Sequence, residues 1–292
     1  MKFGIYRLHG LLDDRTMKQL ESAYHMSIEV ISVYRAWNRC CIEDDLQWLE
    51  DLSISSRDIL LTWEPWKIPA HKDRPFDQPD FSLKTIYSGQ YDDYIFSFAK
   101  ALKNFSQTVY LRPMHEMNGN WYPWCGDVNK NRPPDFIKAW KHLQAVFHQA
   151  GAHQLKWVWC PYHQSYPTHL HNTIETYFPG DNALDWVGLD GYNWGTTQKW
   201  SSWQRFDELF EPGYSMLNKV SKKPVMIGET ACTETGGDKA KWIKDAFTSL
   251  KEQFPKVTML VWFDILKECD WQISSSQESL KAFQSKHISL PT

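Results

Sequence analysis

Only six cysteines occur in 292 residues, at 40, 41, 125, 160, 232 and 269, and they form no CxxC pair. That spacing excludes a disulfide-stapled scaffold, and the adjacent Cys40 and Cys41 read as reduced thiols. No window reaches the ~18 apolar residues of a membrane span. The opening MKFGIYRLHG lacks the apolar run of a signal peptide, so the chain reads as cytoplasmic, or as a mature domain whose leader is gone. A formal net charge of −3 leaves no basic stripe, which argues against a nucleic-acid partner. No GxGxxG or GxxxxGK[ST] follows an apolar run. HExxH is absent because Gly119 interrupts it, and neither a GxSxG elbow nor a Ser-His-Asp or Cys-His set stands out. His163, His169 and His171 crowd one stretch without metal-ligand spacing or partner acids, and read as a solvated loop. No metal or cofactor is therefore expected.

Aromatic residues, by contrast, make up 15% of the chain, with 16 tryptophans. Roughly half of these are expected only to pack between elements, since large aromatics are mostly buried. The rest imply flat amphipathic surfaces for a ligand, and sugars fit them, with apolar C–H faces and hydroxylated rims.

Eight short β-type runs recur at 3–8, 28–37, 58–66, 108–116, 155–161, 185–194, 223–231 and 257–265. Stretches with helical periodicity lie between them, such as TMKQLESAYH, YDDYIFSFAKALKNF and DKAKWIKDAFTSLKEQF. Strands alternating with helices predict parallel βαβ units, and eight such units predict an α/β fold of the (β/α)8 TIM-barrel type, spanning 1–292 as one domain. A doubly wound open sheet is the rival architecture, weakened by the missing nucleotide motifs. A polar, Pro-rich insertion at 67–89 reads as a long loop.

Active-site residues of such barrels come from the C-terminal ends of strands. Those ends offer Arg35, Trp37, Trp63, Glu64, His115, Glu116, Trp159, Asp190, Tyr192, Glu229, Trp262 and Asp264. Glu116 and Glu229 stand out because each is expected to terminate an apolar strand, the fourth and the seventh, from which side chains can converge across the mouth. Two opposed carboxylates among stacking aromatics fit glycoside hydrolysis, with one acid protonating the leaving oxygen and the other attacking the anomeric carbon. The alternative for any single strand-end glutamate is an ion pair with arginine or a helix cap; the pair and its aromatic surroundings favour chemistry. Trp121 and Trp124 follow the first acid on a loop opened by Gly119, and Asn193 and Trp194 are similarly placed, so all four are expected to contact sugar. Trp63 is either cleft wall or packing. Arg112 is expected to brace the carboxylates, and His115 to orient Glu116 or touch a sugar hydroxyl.

The run RPMHEMNGNWYPW, from Arg112 to Trp124, resembles the acid/base signature of glycoside hydrolase family 26, in a clan of retaining (β/α)8 glycosidases. That family has His where the clan usually has Asn before the acid, and His115 stands there. The resemblance continues through WVWCP, DWVGLDGYNWG, KPVMIGET and VWFD. It implies Glu116 as general acid/base, Glu229 as nucleophile, Tyr192 as the tyrosine bonded to that nucleophile, and Trp262 as the indole flooring the cleaved sugar's subsite. It also implies a polysaccharide substrate and no cofactor; the chain is expected to act as a monomer. Thr230 follows the nucleophile where the family commonly has an aromatic, and NWYPW stands where mannan-cleaving members often carry WFWW. These departures leave the substrate open: endo-β-1,4-mannan first, then mixed-linkage β-glucan or β-1,3-xylan, or a bacterial exopolysaccharide. A carbohydrate-binding barrel without turnover is the reading from another class, disfavoured because binding alone does not require two opposed acids.

Overall fold

A computed structural model describes residues 1–7, 13–68 and 73–285. Eight parallel strands close into a barrel in sequence order: β1 Lys2–Tyr6, β2 Val30–Ala36, β3 Asp58–Glu64, β4 Val109–Pro113, β5 Lys156–Trp159, β6 Trp186–Asn193, β7 Val225–Cys232 and β8 Val257–Phe263. Pairing of β1 with β8, Lys2 to Met259 through Tyr6 to Phe263, completes the ring. The helices are α1 Asp14–Tyr24, α2 Leu46–Ser53, α3 Leu83–Tyr87, α4 Asp92–Leu102, α5 Pro133–Gln149, α6 Phe206–Val220, α7 Lys239–Glu252 and α8 Gln277–Gln284. No helix among the described residues is long and apolar enough to cross a membrane.

Local chemistry sets several boundaries. Asp13 caps α1 by accepting from the Thr16 amide, and Asp238 caps α7 by accepting from that of Lys241. Pro133 and Pro134 open α5 in the first turn, where a missing N–H costs nothing. Two stretches depart from the alternation expected. Between β5 and β6 the chain forms only short 3-10 turns, Ile174–Tyr177 and Asp181–Ala183, in place of an α-helix. The 67–89 insertion is not all loop: it carries a 3-10 turn at Pro79–Phe81 and then α3, while its residues 69–72 lie outside the described set, as does Leu8 of the first run.

Inside the barrel, alternate side chains stack in layers, so the interior is filled. Lys2 pairs with Asp58 at 2.5 Å and donates to Tyr110 at the lower end. Val30, Leu60, Val158, Met226, Met259 and Val261 fill the middle. The upper layer, at the C-terminal ends of the strands, is polar.

Candidate active site

Successive strand residues point alternately into the barrel and out to the helices. Thr62 and Glu64 face in, so Trp63 between them faces out and stacks on Phe98 with ring centroids 4.7 Å apart. Phe263 and Tyr192 face the cleft by the same parity, which turns Trp262 and Asn193 away. Trp262 packs among Trp242 and Phe283, and its Nε1 donates to the Trp271 carbonyl at 2.9 Å. Asn193 accepts from the Gly195 and Gln204 amides and ties the loop after β6. Trp262 and Asn193, expected as sugar contacts, and Trp63, left open between cleft wall and packing, are thus removed from the cleft by alternation.

Glu229 reaches the mouth through an irregularity. Ile227 and Glu229 have the same parity, and Ile227 faces the helices. A β-bulge intervenes: β7 advances three residues from Ile227 to Thr230 while β8 advances two, from Leu260 to Trp262. The extra residue re-aims Glu229 inward. Glu229 therefore lies within β7, not at its end as the sequence implied. Gly228 makes room beneath it, since a Cβ there would lie 2.7 Å from Asp190 Oδ1 and 2.8 Å from Arg112 Nη1.

Arg112, fully buried, organises the carboxylates. Its Nη2 donates to Glu229 Oε1 at 2.6 Å, and its Nη1 to both Asp190 oxygens at 2.8 and 2.9 Å. Thr62 Oγ1 accepts from its Nε and Nη2. The Tyr192 hydroxyl donates to Glu229 Oε2, so both Glu229 oxygens are engaged. Arg112 does not line the cleft; it acts through the acids, as a brace. Burial alone would raise the Glu229 carboxyl, but the Arg112 charge and hydrogen bonds from Tyr192 and Tyr34 outweigh it and hold it below the ordinary value.

Glu116 lies three residues beyond the end of β4, in a turn rather than on the strand. Its backbone is left-handed at φ +52°, as is Met114 at +51°, each costing on the order of 1–3 kcal/mol. The turn is pinned to β5: the Glu116 amide donates to the Cys160 carbonyl at 2.8 Å, and Asn118 exchanges hydrogen bonds with the Tyr162 backbone. Trp121 Nε1 donates to Glu116 Oε2 at 2.6 Å. Gly119 permits this fold-back, because a Cβ there would meet the Trp121 ring at 2.5 Å. Burial first, then the negative charges of Glu229 and Asp190, push Glu116 well above the usual carboxylate range, against the Trp121 bond and Arg112.

His115 is buried with its Nε2 3.8 Å from Glu229 Oε1, and its ring packs on Tyr122 with centroids 4.8 Å apart. Burial and Arg112 lower it to about 3, so it is neutral at physiological pH. It is buried and is not among the residues that line the cleft. Trp124 is also buried, bonded through Nε1 to the His115 carbonyl at 2.7 Å and stacked on Tyr122; it supports the acid loop rather than a sugar. His115, Glu116 and Asp190 offer ligand atoms within 4.8 Å of one another. The Arg112 guanidinium already neutralises Asp190, so this set is poorly suited to a cation.

An open cleft of about 1000 Å³ crosses this face. Of the expected sugar contacts, Trp121, Tyr192 and Trp194 line it. Sequence reading missed Tyr6, Tyr34, Trp66, Tyr162, Tyr166, Trp200, Phe263 and Trp271, which line it as well. Tyr6, Tyr34 and Phe263 lie on β1, β2 and β8, where alternation alone does not say which set of residues faces inward; Trp66, Trp200 and Trp271 sit on loops whose course no local pattern fixes. The Trp271 loop is tied down by Lys239, whose buried Nζ donates to the Gln272 carbonyl and to Ser275 Oγ.

A sequence profile for Glycosyl hydrolase family 26 matches residues 82–223, which include Glu116. Endoglucanase H of Acetivibrio thermocellus is 34% identical over 283 residues, covering 93% of this chain and 29% of that protein. Mannan endo-1,4-beta-mannosidase A and B of Caldalkalibacillus mannanilyticus is 35% identical over 97 residues, 32% of this chain and 18% of that one. The chain thus spans less than a third of the length of either relative. Among solved structures, the catalytic domain of the Bacillus sp. JAMB-750 GH26 endo-beta-1,4-mannanase superposes with a TM-score of 0.70 over 97% of this chain and 84% of that one, at 13% identity. The Bacillus subtilis mannanase gives 0.63 over 97% and 83%, at 18% identity. At those identities the superpositions speak to the barrel alone, while the profile carries the lineage: residues 82–223 of the chain belong to glycosyl hydrolase family 26.

Proposed function

We propose that this chain is the catalytic domain of a retaining endo-β-glycanase, acting as a monomer, with Glu229 as nucleophile and Glu116 as general acid/base. The observation that carries the reading is the opposed electrostatics of the two acids: Glu229 is held ionised by Arg112 and Tyr192, and Glu116 protonated by burial and by the charge of Glu229. In the first step a Glu229 oxygen bonds the anomeric carbon. The glycosidic C–O bond breaks, and the Glu116 proton passes to the leaving oxygen. Esterification removes the negative charge that raised Glu116, so its carboxylate can take a proton from water as that water attacks the anomeric carbon. Glu229 then leaves as carboxylate and Glu116 is protonated again.

Exposed lining residues on opposite sides of the mouth, Ile68 after β3 and Trp200 after β6, support an open groove and hence internal cleavage. The alignment over 93% of the chain favours a β-glucan backbone, a name borne by a much longer protein. A second reading, β-1,4-mannan, is supported by the mannosidase alignment.

Digestion of barley β-glucan, galactomannan and β-1,3-xylan, with the product anomer followed by NMR, tests the proposal. Glu116→Gln and Glu229→Gln are each expected to lose about 100-fold or more of kcat on natural substrate while staying folded. An inverted product anomer overturns double displacement, and an unchanged rate in either variant overturns the assignment.

A further inference from the structure

The two-glutamate chemistry leaves a third carboxylate in the cleft unused. Glu64 ends β3, is 4% exposed, and lines the cleft next to Trp66. It forms no ion pair among the described residues, unlike Asp190 and Glu229, which share Arg112. Trp66 presents a second group: its buried Nε1 is directed toward the Glu64 carboxyl, yet no acceptor among the described residues meets it in good hydrogen-bonding geometry. Edge-on contacts with Tyr122 at 5.2 Å and Trp124 at 5.9 Å hold that indole in place. A buried N–H without a well-placed acceptor and a buried carboxyl without a cation are both unfavourable until something polar meets them.

We infer that the Glu64 carboxyl and the Trp66 N–H form a hydroxyl-binding pair that holds one sugar unit of the substrate chain on the side of the cleft formed by β1, β2, β3 and β8. The inference rests on the glycanase reading above. Two features fit a neutral hydroxylated ligand. The N–H donates to one hydroxyl oxygen. Burial raises the Glu64 carboxyl to about 8, with the charge of Glu229 adding and the Trp66 indole opposing, so near neutrality it donates as well as accepts. Tyr6 and Phe263, stacked with centroids 4.6 Å apart on neighbouring strands, supply an apolar surface beside the pair.

The test uses calorimetric binding of cello-oligosaccharides and manno-oligosaccharides to the full chain carrying Glu116→Gln, which removes turnover. Adding Glu64→Leu or Trp66→Phe is expected to weaken the preferred series by about 10- to 100-fold, the range of one or two buried hydrogen bonds. Glu64→Gln, which keeps donor and acceptor atoms, is expected to lose less than Glu64→Leu. Affinity within about twofold of the parent in both Glu64→Leu and Trp66→Phe overturns the pair. So does an equal loss in Glu64→Gln and Glu64→Leu accompanied by a fall in melting temperature, which would mark a structural role. A parent that binds neither series overturns the glycan reading itself, and this inference with it.

Discussion

Glu229 shows how much depends on single atoms: Oε1 is held by Arg112 and Oε2 by Tyr192, so its carboxylate is fixed in place and charged, as the proposed nucleophile must be. Removing the phenol in Tyr192→Phe leaves Arg112 in place but takes away one group that favours the charged form. The Glu229 carboxyl then rises, and the acidic limb of the kcat/KM profile moves to higher pH, because the active form appears only after Glu229 has lost its proton. A hydrogen bond to a charged group contributes about 1.5–3 kcal/mol, so kcat/KM should fall roughly 10- to 100-fold. A pH–rate profile of the variant checks both; an unmoved acidic limb contradicts the role given to Tyr192. Glu116, Glu229 and Tyr192 were singled out by their neighbours in RPMHEMNGNWYPW, KPVMIGET and DWVGLDGYNWG, and the structure brings the three to one cleft. The direction each side chain takes was not legible: Trp63, Trp262 and Asn193 sit one step from inward-facing residues and therefore point away.

Among the elements, β7 carries the site through its irregularity. A regular strand would send Glu229 to the helix layer with Ile227; the bulge turns it inward, and Gly228 lets Arg112 and Asp190 pass beneath. Gly228→Ala pushes a methyl into that ion pair. The expected cost is about 1–3 kcal/mol of stability, with activity falling further as Arg112 shifts off Glu229. Denaturant titration beside kcat/KM checks this, and wild-type values in both would mean the space under β7 is less constrained than its geometry indicates. The loop after β4 works in a similar way: left-handed Met114 and Glu116, the Cys160 carbonyl and Gly119 together fold Trp121 onto the acid. Sequence placed Trp121 and Trp124 on that loop, but only packing separates them, one bonded to the acid and the other buried under His115.

For the whole molecule, burial of titratable groups sets the pH range of stability. His115 and His163 fall from 6.5 to about 3 and about 4, chiefly through burial. A depressed histidine gives stability that is complete above about 6.5 and is lost as pH falls toward its folded value. Glu64 rises from 4.5 to about 8, so its contribution is complete below about 4.5 and is lost as pH rises toward 8. The melting temperature should therefore decline as pH falls below ~6.5, where two histidines outweigh one glutamate, and again as pH rises from ~6.5 to 8, and Glu64→Gln should lessen the upper decline. Melts from pH 4 to 9 test this, and a wild-type profile flat between 6.5 and 8 contradicts it.

Sequence alone determined the eight strand runs, the β4 and β7 origin of the two acids, and the aromatic surplus, because hydrophobic periodicity and short motifs are local properties of a chain. Tertiary structure decided which indoles reach the cleft: Trp66, Trp121, Trp194, Trp200 and Trp271 line it, whereas Trp63, Trp124 and Trp262 are buried away from it. It also decided that Arg112 joins Asp190 to Glu229 and that a bulge turns Glu229 inward. Those outcomes depend on strand register, on loop paths and on the burial that sets proton affinity, and each arises from residues distant in sequence that meet only when the barrel closes.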